Sequence, residues 1–432
     1  MNAPDYSFTV SDPAIRKRAR CWLLLGVIAL GIAGIFAGLL ANTKSPFFYT
    51  ALVVHVDLSV LVWFLTIACM FFTLARAGKG FLMLAEASYL SFAAGAGLII
   101  FSAFTGGEAY MSNYIPVIHH PLFFLGLGLL FCGVVGATMD VIAGGKVSPG
   151  TNVQRFGVMT AAWMMLVAMG CFIWSAESLP RDMTGQIYYE YAFWGGGHVL
   201  QFVHTQLMLV AWFWLASACG LRLKLSAKHI ALLYGFGVFC ALAAPFMYLT
   251  HDDVHSNGFT LLMRHANGLS PLIAGGFLVA GLIKAEPSPA MRLPRIALAM
   301  SILLFAAGGA LGYFIAGSNV IVPAHYHGSI VGVTLAFMGV AYLLLPALGA
   351  QDVSASRLAQ WQPVIYGGGQ LCWMAGMAIL GAHGVPRKTP GSADTVGALA
   401  AFLKHGGDGL ALIGGLLFVF IMLRAFLSKR GE

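Results

Sequence analysis

Charge is what this sequence lacks. Asp, Glu, Lys and Arg make up only 9% of its 432 residues, against about 25% in an ordinary soluble domain. With 59% of residues hydrophobic and a mean hydropathy of +0.83, the chain has no polar surface to offer water. A soluble globular protein is excluded. The seven cysteines (Cys21, Cys69, Cys132, Cys171, Cys219, Cys240 and Cys372) are scattered, mostly inside apolar runs. No pair has metal-site spacing and no C-x-x-C-H motif occurs, so they read as small apolar core residues. A small-residue cleavage site is also missing between the polar tail, residues 1–20 with Arg16-Lys-Arg-Ala-Arg20, and the first apolar run. That run reads as a retained first span, not a signal peptide.

What is present suits lipid. The 53 glycines and 19 methionines fit close helix packing in a bilayer. Apolar runs of about 20 residues, enough to cross one, fall at 21–41, 50–75, 82–104, 117–143, 155–176, 191–220, 229–250, 258–283, 295–317, 324–348, 361–383 and 399–427. The expected fold is an all-α integral membrane protein, a bundle of twelve transmembrane helices forming one domain over residues 1–432. With the N-terminus in the cytoplasm, eighteen of the 24 Lys and Arg fall in cytoplasmic segments. The outer loops hold only Lys44, Arg181, Arg264, Arg387, Lys388 and Lys404. The excess alternates correctly loop by loop, so both termini read as cytoplasmic. The net charge of +8 is this topology signal, and it calls for no nucleic-acid partner.

In that topology the thirteen histidines are biased to one side. Only His229 lies toward the cytoplasm; His55, His119, His120, His198, His251, His255, His265, His325, His327, His383 and His405 gather at the outer ends of spans, with His204 deeper. A layer of histidines contributed by different helices is how a bundle builds cofactor and metal sites. Ionisable groups inside a membrane are functional candidates in their own right. The stretch Pro323-Ala-His-Tyr-His-Gly328 adds a geometric clue. Residues two apart on a helix point roughly 200° away from each other. That spacing suits two separate cofactors, one on each side of a single helix; the bland alternative is two interfacial histidines in a loop.

These residues resemble subunit I of the haem-copper oxidase superfamily. The likeness spans about residues 20–427 and rests on twelve spans and three stretches, "VVHVDLSVLVWFL", "FWGGGHVLQF" and "PAHYHGSIVGVTLAFMG". It implies that His55 and His327 bind a low-spin haem axially and that His325 is the proximal ligand of a high-spin haem. It also implies that His198 and His251 hold copper beside that second haem. The implied activity is reduction of dioxygen to water, with electrons from cytochrome c or quinol. The setting it implies is a respiratory complex with other subunits in a bacterial-type cytoplasmic membrane, haem sites toward the outer face. Arg387 and Lys388 would pair with haem propionates.

The chain departs from that pattern on span 7. The oxidases carry adjacent histidines there, whereas this sequence has Thr250-His-Asp-Asp-Val-His255. Asp252 or His255 then completes the site, and non-haem iron suits it as an alternative to copper. The family's cross-linked tyrosine finds Phe202 at its span-6 position, leaving Tyr248, one turn before His251, as the nearby catalytic candidate. Nitric oxide reductases lack that tyrosine and add a carboxylate, a role open to Asp252 or Asp253; they are the alternative activity. A haem-binding paralogue without catalysis, acting in electron transfer or assembly, is the third reading. His204 reads as a hydrogen-bonded core group, and His119 and His120 as interfacial. Asp57, Glu86 and Asp140 form no readable proton chain.

Overall fold

Among the described residues, twelve helices are long and apolar enough to cross a membrane, and they account for most of the chain. The structure, a computed structural model, describes residues 6–8, 10–76, 82–145, 152–250, 254–286, 288–387 and 397–428. The spans are α1 (Pro13–Leu39), α2 (Phe48–Ala75), α3 (Met83–Ser102), α4 (Pro121–Ala143), α5 (Val153–Ser178), α6 (Trp194–Ala218), α7 (Ala227–Thr250), α8 (Asn257–Lys284), α9 (Pro289–Gly312), α10 (Ile321–Leu344), α11 (Arg357–Ala382) and α12 (Ala398–Leu427). The protein is a multi-pass integral membrane protein with the expected number of spans. Their starts follow from polar caps that satisfy the first free backbone N–H groups. Asp12 accepts from the amide of Ala14 ahead of α1, Asn152 from Arg155 ahead of α5, and Ser356 from Ala359 ahead of α11.

Two boundaries moved for identifiable reasons. The run expected at 117–143 becomes helical only at Pro121, because Val117–His119 (β2) pairs antiparallel with Glu108–Tyr110 (β1). This hairpin is the one sheet among the described residues and the small departure from an all-helical fold. His120 ends it and caps α4: its Nδ1 accepts the Leu122 N–H at 3.2 Å, with Pro121 at the first helical position. Ahead of α6, the short helix Gly185–Ala192 is separate from the span, so the run expected from residue 191 starts at Trp194.

The chain divides into two compact units. One comprises Phe8–Val210 and Leu225–Pro271, the other Met1–Ser7, Ala211–Lys224 and Leu272–Glu432. In the first, α1 packs on α2, α3 on α4, and α5 on both α4 and α7. Arg76 at the end of α2 and Asp140 on α4 form a 3.3 Å ion pair there, each side chain 8% exposed. In the second, α9 packs on α10, α10 on α11, and α11 on α12. At that last contact a Cβ on Gly376 would lie 2.6 Å from the Lys404 amide nitrogen. Backbones can touch there only because the residue is glycine, and such close packing is a main source of helix association in lipid.

The spans are not equally enclosed. Over their most apolar stretches α2, α6 and α10 are 83%, 94% and 78% buried, and the other nine range from 28% to 61%. Those three carry His55, His198, His204, His325 and His327. Polar side chains have thus been placed on the helices least able to solvate them.

Candidate functional site

The His-x-His pair is helical. α10 begins at Ile321, with Pro323 in its first turn where proline is tolerated, so His325 and His327 point away from each other. The loop alternative is thereby removed. His325 turns to α9, where its Nδ1 lies 2.7 Å from the Gly308 carbonyl oxygen. Small residues make this approach possible. A Cβ on Gly328 would sit 2.6 Å from the Gly308 Cα, and one on Gly312 would sit 2.8 Å from the His325 Nδ1. An imidazole whose Nδ1–H donates to a carbonyl keeps Nε2 as its deprotonated, ligating atom. His327 turns to α11, its ring centroid 4.1 Å from that of Trp373 at a tilt of 38°.

His55 is built on the same plan in the other unit. Its Nδ1 lies 2.9 Å from the Ala33 carbonyl oxygen of α1. Just beyond it α2 widens into a π-helical turn, Asp57–Val62, a distortion found mostly at functional sites. Asp57 is 1% exposed, and its carboxylate oxygens have no hydrogen-bond partner among the described residues. A buried group in that condition is costly to the fold.

His198 is arranged differently. It follows Gly195-Gly-Gly197 at the start of α6, and each glycine abuts an aromatic residue: Gly195 the Tyr248 hydroxyl, Gly196 the Phe172 ring, Gly197 the Tyr114 ring. The His198 Nδ1 donates to the Trp194 carbonyl at 2.7 Å, and Nε2 accepts from the Tyr114 hydroxyl at 2.9 Å. Both ring nitrogens are therefore engaged within the protein. Tyr114 lies between β1 and β2, outside the spans, in a segment anchored by Asn113 to Glu190. Burial, and secondarily the Glu190 carboxylate, holds its phenol well above the ordinary range, which keeps it a donor.

Tyr248 and His255 lie in this neighbourhood. The Tyr248 hydroxyl donates to the Cys171 carbonyl at 3.1 Å and pairs with the Ser175 hydroxyl at 2.8 Å, while its ring stacks on Trp174. His255 lies between the Trp194 ring, at 3.8 Å, and the Tyr191 ring, at 4.7 Å. His251, Asp252 and Lys388 lie outside the described residues. Arg387 is tied by its Nε to the Ser318 hydroxyl at 3.0 Å, on the segment leading into α10. Among the described residues no three His, Cys, Asp or Glu side chains gather as a metal site. The donor chemistry of His55 and His325 fits axial haem ligands; that of His198, both nitrogens committed, does not fit a metal ligand in this arrangement.

Several expectations changed. His204 is not the hydrogen-bonded core group its position suggested: its ring stacks on Phe64 at 4.8 Å, and its Nδ1 is buried without a partner among the described residues. Asp140 is committed to Arg76. Tyr114 and Trp373 went unrecognised, although the triple glycine before His198 signals close approach of bulky groups. A polar seam was also missed. Tyr234 donates to Gln154 at 2.6 Å, Gln206 to Thr160 at 2.6 Å, and Asn267 to Thr205 at 3.0 Å. The partners lie 46 to 80 residues apart in the chain, so no local spacing signals the pairing.

Residues 18–405 match the family model described as cytochrome c and quinol oxidase polypeptide I. An uncharacterised protein of Rickettsia prowazekii (strain Madrid E) is 27% identical over 498 aligned residues, covering 96% of each chain. An uncharacterised protein of Aquifex aeolicus (strain VF5) is 27% identical over 346 residues, covering 77% of this chain and 85% of its own.

Proposed function

The chain belongs to the cytochrome c and quinol oxidase polypeptide I family, and from that premise we propose that it is a haem-bearing respiratory oxidoreductase reducing dioxygen to water. In this reading His55 and His327 hold a low-spin haem and His325 holds a high-spin haem, while a second metal centre of His198 with His251, Asp252 or His255 requires the Tyr114 hydroxyl to leave the His198 Nε2. Haem held by these histidines would supply one-electron chemistry, with His55 and His327 serving electron transfer and His325 the centre that would take the diatomic substrate. The observation that carries the reading is the α10 turn. It sends His325 to α9 and His327 to α11, and the Gly308 carbonyl accepts a hydrogen bond from the His325 Nδ1–H.

The chain's own residues would divide the remaining work. The Ala33 and Gly308 carbonyls fix the tautomers of His55 and His325 and keep their ligating nitrogens basic. Arg387 and Lys388 would neutralise haem propionates, and Tyr248 would serve the second centre as a proton donor. Both termini face the cytoplasm of a bacterial-type cell in this reading, with the haem sites toward the outer face. Electrons arrive from cytochrome c or quinol through partner subunits.

A second reading has its own observation. With His198 bonded at both nitrogens, the centre beside His325 would lack a span-6 ligand. The protein would then be a haem-binding electron carrier or assembly subunit. Haem and metal counts on the protein purified from membranes separate these outcomes. Two haems with one copper and oxygen consumption support the oxidase, and three irons with nitric oxide consumption support the reductase. Two haems alone support the carrier, and a preparation without haem overturns all three.

A further inference from the structure

A second layer of residues stands behind His327. Trp373, 8% exposed, lies against the His327 ring at 4.1 Å. Its indole N–H donates to the Asp408 carboxylate on α12. Asp408 is in turn paired with Lys404, one turn earlier, at 3.2 Å. The contact depends on Gly407, next to Asp408: a Cβ there would strike the Trp373 backbone nitrogen. Lys404 and Asp408 are the two charges of α12 outside its last turn. The Asp408 side chain is 50% exposed and lies in the first half of α12, in the polar stretch Lys404-His-Gly-Gly-Asp408. An i,i+4 pair of this kind contributes little to helix stability; what sets this one apart is its bond to the indole that lies against His327.

We propose that Trp373 and the Lys404–Asp408 pair form a positioning and tuning element for His327. Trp373 fixes the plane of the imidazole, and the pair sets the reduction potential of the group that His327 holds. The inference rests on His327 being an axial haem ligand. A charge pair linked to the imidazole through one indole acts on it through that ring, which screens a field far less than water does. A positive charge there stabilises the reduced centre and a negative charge the oxidised one.

The test is a redox titration of the low-spin haem absorbance, with the ferric resonance spectrum, on the purified full-length protein. Asp408→Asn, which leaves Lys404 unpaired, raises the midpoint potential; Lys404→Met, which leaves Asp408 unpaired, lowers it. Trp373→Phe retains the wild-type ferric g-values, because a ring still lies against His327, and Trp373→Leu shifts them. Opposite shifts from the two charge variants are an outcome that mere structural damage does not produce. A normal low-spin signal whose potential moves the same way in both, or in neither, overturns this inference alone. A wild-type protein without a low-spin signal overturns the axial role of His327 and this inference with it.

Discussion

His325 and His198 each donate from Nδ1 to a backbone carbonyl at 2.7 Å, yet they are held for different ends. The His325 acceptor is Gly308, on the neighbouring helix α9; the His198 acceptor is Trp194, one turn back on its own helix. The glycines differ in the same sense. Around His325 they bring two helix backbones together so that a carbonyl reaches the ring. Before His198 they open the helix start to Tyr248, Phe172 and Tyr114, and Tyr114 then takes Nε2. A cross-helix brace fixes a tautomer and presents the ring; an aromatic cage satisfies the ring on both sides. Equal hydrogen-bond lengths therefore do not imply equal function.

The comparison can be broken at several points. The largest effect is expected from Gly308→Val, which drives side-chain atoms into the α10 backbone. We expect a loss of about 3 kcal/mol and loss of the haem at His325, read by thermal unfolding and by haem content. Retention of both would show that the α9–α10 brace is dispensable. Next, His325→Ala and His327→Ala should each lower the haem count from two per chain to one, with the low-spin absorbance lost only in the second. If both variants lose the same absorbance, the two rings serve one cofactor.

Tyr114→Phe sharpens the His198 side. Loss of one hydrogen bond should cost about 1 kcal/mol, while copper or zinc retained after loading and desalting should rise, because Nε2 no longer has a donor. Unchanged metal content would mean that Tyr114 is no barrier. The smallest effect is expected from His120→Ala, which removes the α4 cap at a cost of about 1 kcal/mol or less, with the metal and haem content unchanged. A change in either would give His120 a role beyond capping.

Much of the architecture could be read directly from the chain. Hydropathy and Lys/Arg placement are summed over about 20 residues, so a few unusual positions do not disturb them. All twelve spans were therefore visible. Boundaries were less so, as at Val117–His119, where apolar residues pair as a strand and only Pro121 starts the helix. The ligand candidates His55, His325 and His327 were visible for the same reason as the spans: a polar residue in an apolar run stands out. Tyr114 did not stand out, because it lies in a short loop whose composition carries no period.

Hydropathy and residue order alone dictated that the protein lives in a bilayer, how many times it crosses, and which helices carry histidines. They also determined that the α10 histidines must point apart, since helix geometry leaves no choice once residues 323–328 are helical. What each ring meets was settled by the packing of one helix on another. Gly308 lies 17 residues from His325 and Tyr114 lies 84 from His198, and Trp373 and Asp408 belong to two further helices. Such partners are chosen by which backbones can approach, and that depends on small residues on both helices at once. One-dimensional spacing holds the helix but not its neighbour.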